Sequence, residues 1–430
     1  MSSEFLAQPS DSSRPAARLG LLRKIGPGIL MAGAAIGVSH IVQSTRAGAT
    51  YGMELLWLVL AVNVLKYPFF EAGHRYTVAT GESLLHGYRR LGPAFLYAFI
   101  ALNAFTAVIS IAGTCFVTAI VMPEIPGLEG LGPTQMSGAL LVLIIALVSL
   151  GQYKWLSRII KVMMVVLFFA TVAAFFRSIG TGAEPVAGFV PPELWSAASL
   201  PFLIALMGWM PAPIELSVWQ SLWIQACEKE NSERTDAREA RIDFHIGYVM
   251  TTLLALMFVA LGAWVMYGSG QEYAVSSVGF TQQFVSLYTS KLGAWTAPII
   301  SAAAFTTLLS TTITVVDAYP RSLAAAARVA KPSLQGSERT WHLAMMILGC
   351  VGGWLIIAYS SQNLTTLIDL ITTAAFLTAP VFAYLNLRLV SSRHLPQESR
   401  PRAWQQGLSW LGFAYLAGFS LLFFWFRFLS

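Results

Sequence analysis

The sequence predicts an all-α polytopic membrane protein: a 5+5 inverted repeat of helices with an eleventh helix appended, in which helices 1 and 6 are broken. Three observations carry this expectation. Of the 430 residues 56% are hydrophobic and only 11% are charged, too few polar groups to cover soluble domains of this size. Apolar runs of about 17–25 residues, the length that crosses a bilayer, recur along the whole chain. Two of these runs are interrupted at their centres, at Ala35-Ile36-Gly37-Val38-Ser39-His40 and at Gly208-Trp209-Met210-Pro211-Ala212-Pro213-Ile214-Glu215.

In order, the spans fall near 28–46, 53–72, 93–122, 134–150, 155–177, 199–225, 243–267, 295–317, 341–359, 363–390 and 408–428. Basic residues choose their orientation. Arg14, Arg18, Arg23 and Lys24 precede span 1, and Arg75, Arg89 and Arg90 follow span 2. Lys154, Arg158 and Lys161 flank the junction of spans 4 and 5, and Arg321, Arg328, Lys331 and Arg339 link spans 8 and 9. Arg388, Arg393, Arg400 and Arg402 link spans 10 and 11. The alternate loops carry almost none, with Glu124 and Glu129 after span 3. By the positive-inside rule the N-terminus is cytoplasmic and the C-terminus external. The net charge of +6 is therefore a topology signal, with the basic residues facing the cytoplasmic lipid surface. No basic cluster carries interleaved aromatics, so no nucleic-acid partner is expected. The expected setting is the bilayer itself, as an integral protein of the bacterial inner membrane, working as a monomer.

The chain divides into a disordered cytoplasmic tail (1–25), rich in Ser, Pro and Ala, a first five-helix repeat (26–178), a second (199–390), and helix 11 (405–430). A charged stretch from Cys227 to Asp243 reads as a solvated cytoplasmic helix between spans 6 and 7. Five spans separate the two breaks, which gives the halves opposite orientation in the membrane. Cys115, Cys227 and Cys350 are isolated, so neither a disulfide framework nor a zinc site is indicated. A helix that loses its hydrogen-bond ladder in hydrocarbon leaves carbonyls and N–H groups unpaired, at several kcal/mol each, roughly, unless a cavity, ion or ligand satisfies them. Paired breaks of this kind mark a transporter's substrate site, and something polar is expected between them.

Several stretches resemble the Nramp (natural-resistance-associated macrophage protein) family of proton-coupled divalent-metal transporters. Gly26-Pro27-Gly28-Ile29-Leu30 and Ala47-Gly48-Ala49-Thr50-Tyr51-Gly52 look like the start and exit of that family's first helix. Ala79-Thr80-Gly81-Glu82-Ser83-Leu84 resembles the segment after its second, Ser310-Thr311-Thr312-Ile313-Thr314 a motif of its eighth, and Met210-Pro211 the start of its methionine-proline-histidine motif. The departures fall on the chemistry. Where the family reads Asp-Pro-Gly-Asn, with the Asp and Asn as metal ligands, this chain reads Gly37-Val38-Ser39-His40. The family's histidine, implicated in proton coupling, is Ala212 here. The resemblance implies a secondary-active transporter of a divalent cation of the manganese, iron or magnesium class, with alternating access. No cofactor is implied; the cation is cargo.

The residues themselves leave several assignments open. Glu215, near the bilayer midplane, is expected to face a cavity or a partner, either as a metal or proton carrier or in an ion pair with Lys66. His40 can ligate a metal or be a satisfied structural residue; Met210 can donate a thioether or simply pack. Gly37, Trp209 and Ala212 would offer carbonyls where the helices unwind. The metal ligands thus expected are His40, Met210 and Glu215. Thr306, Ser310, Thr314 and Asp317 share one face of span 8 and are expected to line a hydrated proton or ion path, or to bond between helices. Asn103, Thr106, Ser110 and Thr114 make a similar stripe on span 3. Glu71 is expected to meet Arg75 at i,i+4. Lys66, beside Pro68, could repel cations, lock a helix or pair with Glu215. Asp369 stays unassigned. With no P-loop, the energy must come from an ion gradient or the membrane potential. No enzyme signature is present. Two rivals stand beside metal transport: an amino-acid or amine symporter of the same scaffold, and a membrane sensor without flux.

Overall fold

Proline and glycine punctuate the chain where the apolar runs begin and end. Prolines occupy the first turn of several helices, among them α1 (Pro27–Ala35), α5 (Pro93–Val121), α8 (Leu200–Gly208) and α12 (Ala297–Ala330), where the missing N–H would have no partner anyway. The computed structural model describes residues 26–122, 130–150, 154–180, 185–270, 277–360 and 364–428. The expected tail (1–25) and the acidic loop with Glu124 and Glu129 lie outside the described residues.

All eleven sequence spans coincide with a helix or a broken pair. Span 1 is α1 followed by α2 (Thr45–Tyr51), and span 2 is α3 (Leu56–Thr80). A short helix, α4 (Leu84–Leu91), precedes α5, which is span 3. Spans 4 and 5 are α6 (Pro133–Leu150) and α7 (Lys154–Ser178). The second broken pair is α8 and α9 (Leu216–Asn231), and α10 (Ala237–Met266) is span 7. A second short helix, α11 (Ser277–Leu292), precedes α12, and α13 (Glu338–Ser360), α14 (Leu364–Val390) and α15 (Ala403–Phe428) complete the chain. The charged stretch after Cys227 is helical at both ends, with Asp236 capping α10 by accepting from the amides of Arg238 and Glu239.

Among the described residues, eight helical segments are long and apolar enough to cross a membrane. Their outward faces carry exposed Val142, Leu143, Leu348, Leu355 and Leu421, an apolar coat that suits lipid rather than water. The two broken pairs sit inside this coat. α1 and α2 pack on α10, α8 packs on α14, and α9 packs on α3. Such close approach needs small residues: a Cβ on Gly208 would run into the Thr372 carbonyl of α14, and one on Gly48 into the Val259 carbonyl of α10.

The first break is tight. α1 ends at Ala35, Ile36 is extended, and the chain re-enters helix through a π-helical turn, Ser39–Ser44. The second is wider, with 209–215 non-helical and a cis Met210–Pro211 bond.

Candidate functional site between the two helix breaks

The loose backbone at each break is held by a side chain from another helix. Thr311 of α12 donates its hydroxyl to the Ile36 carbonyl at 3.0 Å, closing the frayed end of α1. Gly37 is needed there, because a Cβ would lie 2.8 Å from the Thr311 hydroxyl oxygen. At the second break the ammonium of Lys66, fully buried on α3, donates to the Met207 and Gly208 carbonyls at 2.7 and 2.8 Å. This cation sits at the negative end of α8. Glu215, equally buried, sits at the positive end of α9, so both half-helix dipoles are complemented. The carboxylate accepts a hydrogen bond from Tyr319 at 2.7 Å.

Between the breaks lies a cavity of about 20 Å³, room for about one water or one largely dehydrated ion. Its polar lining residues are Ser39, Ser110, Thr114, Thr311 and Tyr319, set among apolar side chains that include Val38, Leu216 and Val315. The Ser39 oxygen is 3.5 Å from the Pro211 carbonyl, so the cavity wall joins one break to the other. Trp209 and Trp219 also line it, and neither buried indole N–H has a hydrogen-bond partner among the described residues. Two larger hollows, of about 450 Å³ each, lie away from the breaks: one beside Ala170, Arg177 and Trp295, the other beside His86, Arg89 and Arg328.

Of the residues expected to form the site, Trp209 and Ala212 line this cavity. Others are placed elsewhere. His40 is fully buried with both ring nitrogens engaged, Nε2 against the Thr251 carbonyl at 3.0 Å and Nδ1 against the Ser39 hydroxyl at 2.9 Å. A carbonyl only accepts, so Nε2 carries the proton and Nδ1 accepts from Ser39. To serve as the expected metal ligand, His40 would have to give up one of these buried hydrogen bonds. Met210 is buried outside the cavity wall, and the Glu215 carboxylate lies behind Tyr319 rather than in it. Among the described residues no three His, Cys, Asp or Glu side chains gather where they could hold a metal ion. The oxygen-bearing side chains that line this site are hydroxyls.

On span 8 the expected residues lie on the less buried face of the helix. Thr306, Ser310 and Thr314 are only half-buried, and Thr306 and Thr314 bond back to carbonyls four residues earlier. The face turned inward carries Thr307, Thr311 and Tyr319. Asp317 points to α13, paired with Arg321 at 2.7 Å and with His342 at 3.2 Å. The span-3 stripe does face inward, with Asn103, Thr106, Ser110 and Thr114 all buried. Glu71 meets Arg75 as expected. Lys66 bonds carbonyls in place of the Glu215 carboxylate.

One cluster escaped the sequence reading. Arg46, on α2, makes two hydrogen bonds to Asp369 of α14, at 2.7 and 2.9 Å, and lies over the ring of Phe202 on α8 at 4.6 Å. Gln43 donates to the same carboxylate. A lone arginine inside an apolar span was the available signal, since such a residue needs a partner.

Comparison with known proteins agrees with this architecture. Residues 28–426 match the Natural resistance-associated macrophage protein-like family. An uncharacterized protein of Pasteurella multocida is 36% identical over 402 residues, covering 93% of this chain and 91% of that one. A divalent metal cation transporter of Chromohalobacter salexigens is 25% identical over 253 residues, 57% of this chain and 58% of that one. In fold, the chain is similar to a mutant of the Eremococcus coleocola manganese transporter, with a TM-score of 0.67 at 13% identity, over 99% of this chain and 91% of that one. Helix order, paired breaks and a match along nearly the whole sequence converge, and the chain belongs to the Nramp family.

Proposed function

We propose that the protein carries a divalent metal cation across the membrane by alternating access, binding it between the two helix breaks. The observation that carries this is the cavity of about 20 Å³ between the two breaks, sized for an ion, with the hydroxyl residues Ser39, Ser110, Thr114, Thr311 and Tyr319 set in an otherwise mainly apolar wall. Hydroxyl and carbonyl oxygens suit hard cations, so manganese or magnesium fits better than a metal seeking sulfur or imidazole. The similar Chromohalobacter salexigens protein, a divalent metal cation transporter, supports the same cargo class. An amino acid does not fit this cavity in the observed conformation, which disfavours the organic-solute reading. The cation is cargo, the protein acts as a monomer without catalysis or cofactor, and residues 26–178 and 199–390 are its two repeats.

Sequence charge asymmetry sets the proposed orientation, N-terminus cytoplasmic and C-terminus external. The Arg46–Asp369 pair then closes the external side. On the cytoplasmic side Asp243 of α10 accepts from the Gly28 amide at 2.5 Å and pins the start of α1. The test is flux into proteoliposomes with manganese, iron, magnesium and amino acids. Saturable uptake of a divalent metal is expected. Amino-acid uptake without metal uptake, or metal binding without flux under every gradient, would replace this reading with one of its rivals.

A further inference from the structure

The partners of Lys66 are unusual for a buried ammonium. It lies wholly inside the protein, and the groups that hold it are the last two carbonyls of a half-helix in place of a carboxylate. The Glu215 charge acts on it from nearby. Unwound carbonyls at the C-terminal end of a broken helix are the groups that bind coupling cations in transporters built this way, because the helix dipole and the free lone pairs both favour positive charge. In this chain a covalently attached cation already fills that place. A buried charge without a carboxylate in direct contact is costly, and its retention beside the break needs a reason.

We infer that Lys66 is a tethered monovalent cation: its ammonium occupies a cation site formed by the Met207 and Gly208 carbonyls under the field of Glu215. The site would take Na⁺ or a small ammonium ion if the tether were removed. Two consequences follow from charge alone. The occupied site keeps α8 ended at Gly208, which holds Trp209 in the cavity wall. It also balances Glu215, so the second break carries no net charge before cargo arrives. The inference on flux rests on the metal-transport reading, whereas the site itself does not.

The experiment uses the full-length purified protein in detergent without any divalent ion, in choline, sodium or methylammonium chloride at matched ionic strength. Wild type should melt at the same temperature in all three. Lys66→Ala should melt lower in choline and recover saturably in sodium or methylammonium, by ligand linkage. Lys66→Met, which fills the space with an apolar chain, should recover in neither. In proteoliposomes, manganese uptake by Lys66→Ala should fall about tenfold in choline and return to within about threefold of wild type in the rescuing salt, the sign of a restored buried charge. Failure of Lys66→Ala to recover in either salt overturns the inference, whether the variant is folded or not. So does a wild-type protein stabilised specifically by sodium. Absence of manganese uptake with the melting pattern intact would sink the cargo reading and leave the Lys66 site standing.

Discussion

At the residue scale, the site separates groups that hold structure from groups that face the cavity. His40 belongs to the first kind. His40→Ala leaves the Thr251 carbonyl and Ser39 hydroxyl without their ring partner, so it should cost about 1–3 kcal/mol of stability. The same variant should leave the KM for manganese within about twofold of wild type, since a ligand loss costs far more than the ~0.4 kcal/mol this represents. Thr311→Val should do the reverse of a silent change: it keeps the volume but removes a cavity hydroxyl and the bond to the Ile36 carbonyl, raising KM about tenfold. Uptake kinetics on the two variants, with melting curves, separate the roles. The sequence could point to a polar face on α12 but not choose it. Hydroxyl residues occur at 306, 307, 310, 311, 312 and 314, so nearly every face of that helix carries one and a four-residue step selects none. The span-3 stripe was legible because its polar residues share one face and the opposite face is apolar.

At the element scale, the half-helices are positioned by glycines against neighbouring backbones. Gly208→Ala should drive α8 from the Thr372 carbonyl and lower stability by about 1–3 kcal/mol through overpacking. Gly407→Ala on α15, where a Cβ meets nothing within 4 Å, should be neutral or stabilising by up to ~1 kcal/mol through helix propensity. Melting both variants in one detergent checks the contrast. The spans and both interruptions were readable from apolar run length and from the Gly and Pro residues that end the runs. The inner packing was not, because Asn386 shows what a linear pattern cannot: it donates to the Phe69 carbonyl of α3 and the Ser217 hydroxyl of α9, and accepts from Tyr88 of α4. Those partners are scattered along the chain, and nothing local announces them.

At the scale of the whole molecule, the first broken helix is pinned to its neighbours at both ends. The Arg46–Asp369 pair, with Gln43 and Phe202, ties α2, α14 and α8 together; the Gly28–Asp243 bond ties α1 to α10. Both side chains of the ion pair are partly exposed, so its strength is modest and a transport cycle can break it. In a cysteine-free background, Ala212→Cys should label slowly with a membrane-impermeant maleimide added outside cells. Adding Arg46→Ala should raise that rate several-fold. An unchanged rate would mean that the external side is closed by other contacts. Arg46 escaped prediction because its partner lies 323 positions away, and only the fold brings the two spans together.

The most direct test of the central claim is anomalous X-ray scattering from crystals of the protein grown with manganese. A single peak in the cavity between Ser39, Thr114, Thr311 and Trp209 is the predicted result. A peak at the His40 imidazole or the Glu215 carboxylate, with nothing between the two helix breaks, would contradict it.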